Sequence, residues 1–255
     1  MCTGAVGALS KYIERAGVAC TSISLVREQS EVVGPTRALW VPFALGRPLG
    51  SATDAEFQKT VMRQAFELLD SATEPTIADY EGPEPDEAGP GQWACPLNLG
   101  PVVDDTLEGR LLAEVARLKT WATQTRDARG RTLFGVSGAS EDQIDEVARA
   151  LVAIATAESI DDMPSDEAEW AFAMPLLTRH LADDLRTFYH EAIAAQPGSV
   201  APNHDALNDW IFGGTALGET LLAVADRLTK AEDPMADLVR GLLIPEGRYN
   251  GGSAF

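Results

Sequence analysis

Residues 73–103 break the sequence pattern and divide the chain into two parts of different character. The segment, which includes TEPTIADYEGPEPDEAGPGQWACP, is rich in proline, glycine and acidic residues and shows no helical or strand periodicity. Long segments of this kind connect folded parts rather than form them. The sequence therefore predicts a first part over residues 1–72, a linker over 73–103 and a second part over 104–255.

The first part has the alternating helices and strands of an α/β fold. An amphipathic helix ends at Gly17, and residues 18–26 and 38–43 have the β-branched, apolar pattern of strands. Thr53 and Glu56 form a capping-box pattern that opens a second helix. The apolar faces of the two helices comprise Val6, Leu9, Ile13, Ala16, Phe57, Val61, Ala65 and Leu68. This order predicts a small, parallel, Rossmann-like sheet.

The second part has the 3.6-residue periodicity of helices throughout. Ser140 and Gln143 form a capping box, Pro175 kinks or breaks a helix, and Gly213 with Gly214 interrupts another. The predicted helices cover residues 107–126, 140–154, 165–195, 205–230 and 235–243. The complete fold prediction is an α/β first part followed by an α-helical second part.

The acidic composition excludes some classes of partner. The formal net charge of −19 repels nucleic-acid phosphates and anionic lipid, and no apolar run reaches the ~20 residues of a membrane helix. Cys2, Cys20 and Cys95 have neither pairing nor zinc-ligand spacing, which is typical of reduced thiols. We therefore expect a cytoplasmic protein with no nucleic-acid or membrane partner.

The stretch RALWVPFALGRPLG, residues 37–50, indicates a ligand-binding loop. Gly46 and Gly50 permit backbone conformations that other residues avoid, and Pro48 stiffens the loop that carries Arg47. Loops that follow strands in open parallel sheets commonly bind ligands, and an arginine there suits a carboxylate or phosphate. Alternatively, Arg47 forms a structural ion pair with Glu28, Glu31 or Asp54.

Two further arginines accompany this loop. Arg27 follows the first predicted strand, and Arg37 adjoins the second. Together with Arg47 they predict an anion site at one edge of the sheet, although each taken singly is typical of a surface residue.

Cys2 is the candidate nucleophile. It lies next to the start of the first helix, where backbone N–H groups and the helix dipole stabilise a thiolate. A functional Cys2 therefore has a pKa below the ~8.5 of a free thiol, which alkylation rates against pH would measure. The alternative is a frayed terminal residue without a role.

His180 and Asp184 are the candidate metal ligands. They lie four residues apart, so they share one helical face. No second carboxylate–histidine pair completes a di-metal bundle of the usual kind, and a solvated acidic face is the alternative. We expect no bound metal and no cofactor.

The first part resembles a known family of reductases. CTGAVGALSKYIERAGVACTSISLVREQSE, RALWVPFALGRPLG and DAEFQKTVMRQAFELL are similar to the carboxyl part of the selenoprotein B family of glycine, sarcosine, betaine and D-proline reductases. The likeness is greater to cysteine-containing relatives of that family, and it covers roughly residues 1–72. The second part resembles the helical extension of the same relatives through WACP, GVSG and DDLRTFYHEA.

The resemblance implies an oxidoreductase-type subunit acting on a small carboxylate-bearing, amino-acid-like substrate. Cys2 matches the redox loop of the family, and the other residues of that loop have no counterpart in this sequence. The implied substrate-binding residues are Arg27, Arg37, Arg47, Gly46 and Gly50. Two alternatives stay open: a non-catalytic partner subunit that completes another chain's α/β domain, and a helical metal-binding protein.

The strand count predicts an assembly. Two parallel strands leave unpaired edges and uncovered apolar faces, which a second chain can cover. We therefore expect a homo-oligomer or a complex with a partner subunit rather than a stable monomer. A monomer would require further strands, hidden around residues 93–99.

Overall fold

A computed structural model describes residues 2–44, 46–51, 54–85, 103–159, 170–196, 202–231 and 233–245, without the side chains of Cys2 and Thr3. The chain divides into two compact units, Met1–Glu87 and Ala88–Phe255, called here the first and second units. This division agrees with the predicted change from an α/β part to a helical part.

The first unit is a small α/β fold built on a parallel sheet. Strand β2 lies between β1 and β3, with Ile23 opposite Leu39 and Leu39 opposite Ala78. Its elements in chain order are α1 (Cys2–Arg15), β1 (Ser22–Ser24), α2 (Arg27–Val33), β2 (Arg37–Trp40), α3 (Ala55–Ser71) and β3 (Thr76–Asp79). The predicted small parallel sheet is therefore confirmed.

Two elements of this unit differ from the prediction. Helix α2 occupies residues just after the predicted first strand, to which the sequence analysis assigned no element, and Gly34 ends it in a left-handed conformation. Strand β3 lies within the predicted linker, where its short sequence TIAD carries no periodic signal. The count of two strands was therefore wrong, and the first unit extends beyond residue 72 because β3 pairs with β2. Residues 93–99 lie outside the described part of the chain.

The core of the first unit lies between the sheet and α3. Asp54, rather than Thr53, provides the described cap of α3, because its side chain accepts a hydrogen bond from the Phe57 backbone N–H at 3.0 Å. The ring of Phe43 contacts Phe57 and Tyr80. The buried apolar side chains are Leu39, Val41, Phe43, Val61, Ala65 and Leu68.

The second unit consists of packed helices. They are α4 (Leu107–Arg129), α5 (Ile144–Thr156), α6 (Leu176–Ala194), α7 (His204–Gly214), α8 (Ala216–Thr229) and α9 (Pro234–Leu243). A short 3-10 turn, Glu141–Gln143, precedes α5, and the predicted capping box of Ser140 and Gln143 is confirmed. Pro175 acts as a helix break, because α6 begins after it.

Helices α4, α5, α6, α8 and α9 surround the core of the second unit. The rings of Phe188 and Tyr189 are almost fully buried there, together with leucines such as Leu118, Leu181 and Leu217. Among the described helices of the whole chain, none combines the length and apolar character needed to cross a membrane.

Candidate functional site

The GRPLG loop follows the carboxyl end of β2, as predicted. Gly46 and Gly50 have φ angles of 85° and 76°, which side chains other than glycine rarely adopt. The loop turns through backbone hydrogen bonds from Arg47 to Ala44 at 2.9 Å and from Gly50 to Arg47 at 3.0 Å. A Cβ on Gly50 would lie 2.5 Å from the Phe57 ring, so this glycine is required for packing as well as for its conformation. The side chain of Arg47 is exposed.

Arg27 joins the carboxyl ends of all three strands. Its Nε lies 2.9 Å from Glu31 of α2, and its guanidinium also pairs with Asp79, the last residue of β3. The guanidinium carbon lies 5.4 Å from the ring centroid of Trp40, the last residue of β2. The hydrogen bond to Asp79, and then that to Glu31, raises the pKa of Arg27. An anionic ligand would therefore compete with two carboxylates for this arginine.

Arg37 lies at the other end of β2. It begins the strand, pairs with Glu14 of α1, and donates hydrogen bonds to the carbonyl oxygen of Ala72 at 3.3 and 3.2 Å. Arg27, by contrast, contacts Trp40 at the carboxyl end. The predicted convergence of Arg27, Arg37 and Arg47 is therefore wrong, because Arg37 begins β2, whereas Arg27 follows β1 and Arg47 follows β2.

Helix α1 begins at Cys2, whose side chain lies outside the described part of the structure. The described polar contacts of α1 lie near the amino ends of β1 and β2. Ser10 Oγ accepts a hydrogen bond from the Thr36 backbone N–H at 3.3 Å, and Glu14 accepts one from Cys20 at 3.1 Å. The GRPLG loop lies at the opposite end of β2. The predicted roles of Cys2 as nucleophile and of Arg47 as an anion-binding residue stay predictions.

Helix α1 presents its apolar face outward, which the sequence analysis missed. Val6, Leu9 and Tyr12 are 48%, 55% and 64% exposed, and Val18, just after the helix, is 59% exposed. We call these four residues the α1 apolar face.

The inward face of α1 consists of small and polar residues. Ser10 is buried, and a Cβ on Gly7 would lie 3.1 Å from the Val33 side chain, so the helix approaches α2 closely. Of the predicted apolar face of α1, Val6, Leu9 and Ala16 are exposed and Ile13 is half-buried. Gly4, Gly7 and Ser10, spaced at three residues, were the available signal for a close-packed inward face.

In the second unit, Asp184 anchors the loop between α4 and α5. Its fully buried carboxylate accepts hydrogen bonds from the backbone N–H groups of Gly135, Val136 and Ser137 at 2.7, 3.0 and 3.1 Å. The Ser137 hydroxyl donates a fourth hydrogen bond at 2.5 Å. These donors satisfy both carboxylate oxygens, so Asp184 has a structural role.

The two candidate metal ligands, His180 and Asp184, have other partners. The ring of His180 stacks on Phe172, with 4.2 Å between the centroids, and Asp184 is engaged by the loop. Within the described residues, no three histidine, cysteine, aspartate or glutamate side chains are grouped as metal ligands.

Glu191 is held by a second buried network. Its Oε2 atom accepts a hydrogen bond from Arg126 Nε at 2.5 Å, and its Oε1 accepts one from the Thr132 hydroxyl at 2.6 Å. Arg126 is only 8% exposed and also pairs with Glu141 at 3.0 Å. The charge of Glu191 is therefore compensated inside the protein.

Glu114 caps the start of α8 from α4. Its carboxylate accepts hydrogen bonds from the Tyr189 hydroxyl at 2.6 Å and from the Ala216 backbone N–H at 2.8 Å. Burial raises the pKa of Glu114, and these hydrogen bonds partly offset the effect. Burial, followed by the proximity of Glu114, raises the pKa of Tyr189 well above its usual value.

A cavity of about 260 Å³ lies between the end of α4 and the middle of α6. Its polar and charged lining residues are Arg129, Arg131, Thr132, Thr187, His190 and Glu191. His190 lines the cavity, but the protein atoms packed around its ring lower its pKa to about 4, and the nearby Arg186 contributes to this shift. We call this space the α4–α6 cavity. The sequence analysis assigned it no role.

Comparison of the chain with protein-family models, curated proteins and solved structures found no match. The resemblance to the selenoprotein B reductases therefore stays a prediction that rests on the sequence stretches quoted for it. The function has to be argued from the geometry of the two units.

Proposed function

We propose that this chain is a self-associating subunit, in which the α1 apolar face of one copy packs against the same face of a second copy. The observation that carries this proposal is that α1 exposes its apolar side chains and buries a polar one. An amphipathic helix normally buries its apolar stripe, whereas Leu9 and Tyr12 are more than half exposed and Ser10 is buried. A contiguous apolar stripe on a surface typically marks a protein interface.

A second copy of the chain is an occupant that the low charge of α1 permits. Helix α1 carries Lys11, Arg15 and Glu14, a net charge of +1, whereas the whole chain has a net charge of −19. Arg15 borders the apolar face, where its guanidinium carbon lies 5.6 Å from the centroid of the Tyr12 ring. Two α1 helices related by a two-fold axis would therefore meet as nearly neutral surfaces and pair identical stripes, although the net charges of the two whole chains repel each other.

The size of the face sets the expected affinity. A helix of 14 residues is ~21 Å long and ~10 Å wide. The helix therefore presents a face of ~210 Å², well below the ~800 Å² that each partner buries in a typical stable interface. We therefore expect a dimer that forms at micromolar concentrations.

The parallel order β1-β2-β3 also supports the Rossmann-like description that we propose for the first unit, since α2 and α3 connect neighbouring parallel strands. Among the described strands, β1 and β3 are the outer ones. A self-associating subunit of this kind corresponds most closely to the partner-subunit alternative. The reductase-type function, with Cys2 as its thiolate, stays a prediction.

Sedimentation equilibrium of the full chain over a range of micromolar concentrations tests the proposal. We expect the wild type to dimerise and Leu9→Asp to weaken the dimer by about tenfold or more, because burying a leucine contributes about 1.5–3 kcal/mol. Phe66→Asp is the matched control, since Phe66 is 54% exposed on α3. We expect this control to leave the dissociation constant unchanged.

Two outcomes would contradict the proposal. One is a wild-type protein that remains monomeric at every concentration, which would leave the α1 apolar face to a different partner chain. The other is a dimer that Leu9→Asp does not weaken. Circular dichroism of Leu9→Asp should show wild-type helicity, because Leu9 is exposed in the isolated chain.

A further inference from the structure

The α4–α6 cavity is lined by two arginines, Arg129 and Arg131. Among the residues that the structure describes, neither Arg129 nor Arg131 takes part in an ion pair or hydrogen bond, and both side chains are exposed. Because the chain has 39 acidic and only 20 basic residues, most of its arginines can find an acidic partner. Two arginines that line one cavity, with no carboxylate partner among the described residues, give it a positive charge that suits an anionic ligand.

The backbone accounts for the convergence of these arginines. Gly130 ends α4 in a left-handed conformation, with φ of 63°, and its N–H donates to the Arg126 carbonyl at 2.8 Å. The chain reverses at this glycine, which lets the residues on either side of it line the same cavity.

The one carboxylate that lines the cavity does not cancel the positive charge. Glu191 is bound by Arg126 and Thr132 at 2.5 and 2.6 Å, so its negative charge is already compensated. The partial negative charge at the end of α4 is smaller than the charge of either arginine.

The geometry points to a binding site for a small dianion, held between the guanidinium groups of Arg129 and Arg131. Both groups are planar forks that bind carboxylate or phosphate oxygens through paired N–H donors. The hydroxyls of Thr132 and Thr187 also line the site and can donate to the ligand.

The volume limits the class of ligand. About 260 Å³ is slightly below the ~300–1,000 Å³ of pockets that hold drug-sized molecules. The site therefore suits inorganic phosphate or a short dicarboxylate rather than a nucleotide. This inference is independent of the proposed self-association, because the cavity lies wholly in the second unit.

Isothermal titration calorimetry of the full chain at low ionic strength tests the site with two probes, inorganic phosphate and succinate. We expect saturable one-site binding of at least one of them, and the stronger binder identifies the ligand as a phosphate or a dicarboxylate. Arg129→Gln combined with Arg131→Gln should weaken binding by about tenfold or more, because charge-assisted hydrogen bonds are the strong ones.

Arg63→Gln is the matched control, since Arg63 is an exposed arginine of the first unit. It should bind the probe as the wild type does. Arg131→Gln alone is a second variant. Arg131 lies outside any described helix, so this substitution should leave the melting temperature unchanged. The inference is overturned if neither probe gives saturable binding, or if the double variant binds as tightly as the wild type.

Discussion

Asp184 is a single buried carboxylate that fixes the loop between α4 and α5. It is fully buried and accepts four hydrogen bonds from one loop. Asp184→Asn keeps the shape of the side chain but replaces one accepting oxygen with an NH₂ group that faces N–H donors. We expect it to lower the free energy of unfolding by about 3 kcal/mol, measured by urea denaturation.

Asp183→Asn is the control for this prediction. Asp183 is a neighbouring, partly exposed aspartate that pairs with Arg179 at 2.6 Å. Asp183 also lies 3.6 Å from Arg186, so its substitution should cost about 1–2 kcal/mol, less than the loss at the fully buried Asp184. Equal losses in the two variants would show that the hydrogen bonds to Asp184 do not stabilise the fold.

The role of Asp184 was partly visible in the sequence. Residues 177, 181, 184 and 188 follow helical spacing, so Asp184 lies within an apolar stripe formed by Leu177, Leu181 and Phe188. A carboxylate in such a stripe requires donors. The loop that supplies them is nearly fifty residues away, and local periodicity carries no information about contacts at that distance.

At the scale of the element, the junction of α7 and α8 depends on one glycine. A Cβ on Gly218 would lie 2.7 Å from Phe212 Cα and 2.8 Å from the Ile211 carbonyl carbon, both of them backbone atoms of α7. Gly218→Ala should therefore lower the free energy of unfolding by about 1–3 kcal/mol. Thermal or urea denaturation measures the effect.

Gly213→Ala is the matched substitution with the opposite expected sign. Gly213 is exposed within α7 and has no atom near the position of a Cβ. Alanine at this position should stabilise the protein by up to about 1 kcal/mol, because it restricts the unfolded chain and favours the helix. Destabilisation by both variants would contradict the proposed difference in packing.

The helices of the second unit were predictable, and the short elements of the first were not. The second-unit helices are long, periodic and capped, as with Ser140 and Gln143 before α5. Strand β3 has four residues, and its placement depends on pairing with β2. Tertiary pairing determines such short strands, so periodicity alone could not identify β3.

At the scale of the whole molecule, the two units have separate cores of different size. We expect unfolding in two steps, with the first unit unfolding at lower urea because it buries fewer apolar side chains. Hydrogen-exchange mass spectrometry across a urea series measures each unit separately. A single coincident transition for amides of both units would contradict this expectation.

Self-association adds a second signature to the same experiment. If the α1 apolar face forms the dimer, the midpoint of the first unit should rise with protein concentration. The second unit contributes no residue to that face, so its own midpoint provides the internal reference.

The buried polar contacts between α4 and α6 also determine how these two helices are aligned. Glu114 and Arg126 of α4 are partnered by Tyr189 and Glu191 of α6. A slip of α4 by one turn, ~5.4 Å, would separate both pairs and leave the buried charged side chains of α4 without these partners. Leucine and alanine side chains alone would tolerate such a slip far better. Helices α4 and α6 consequently pack in a single alignment, and the wall of the α4–α6 cavity is formed without a ligand.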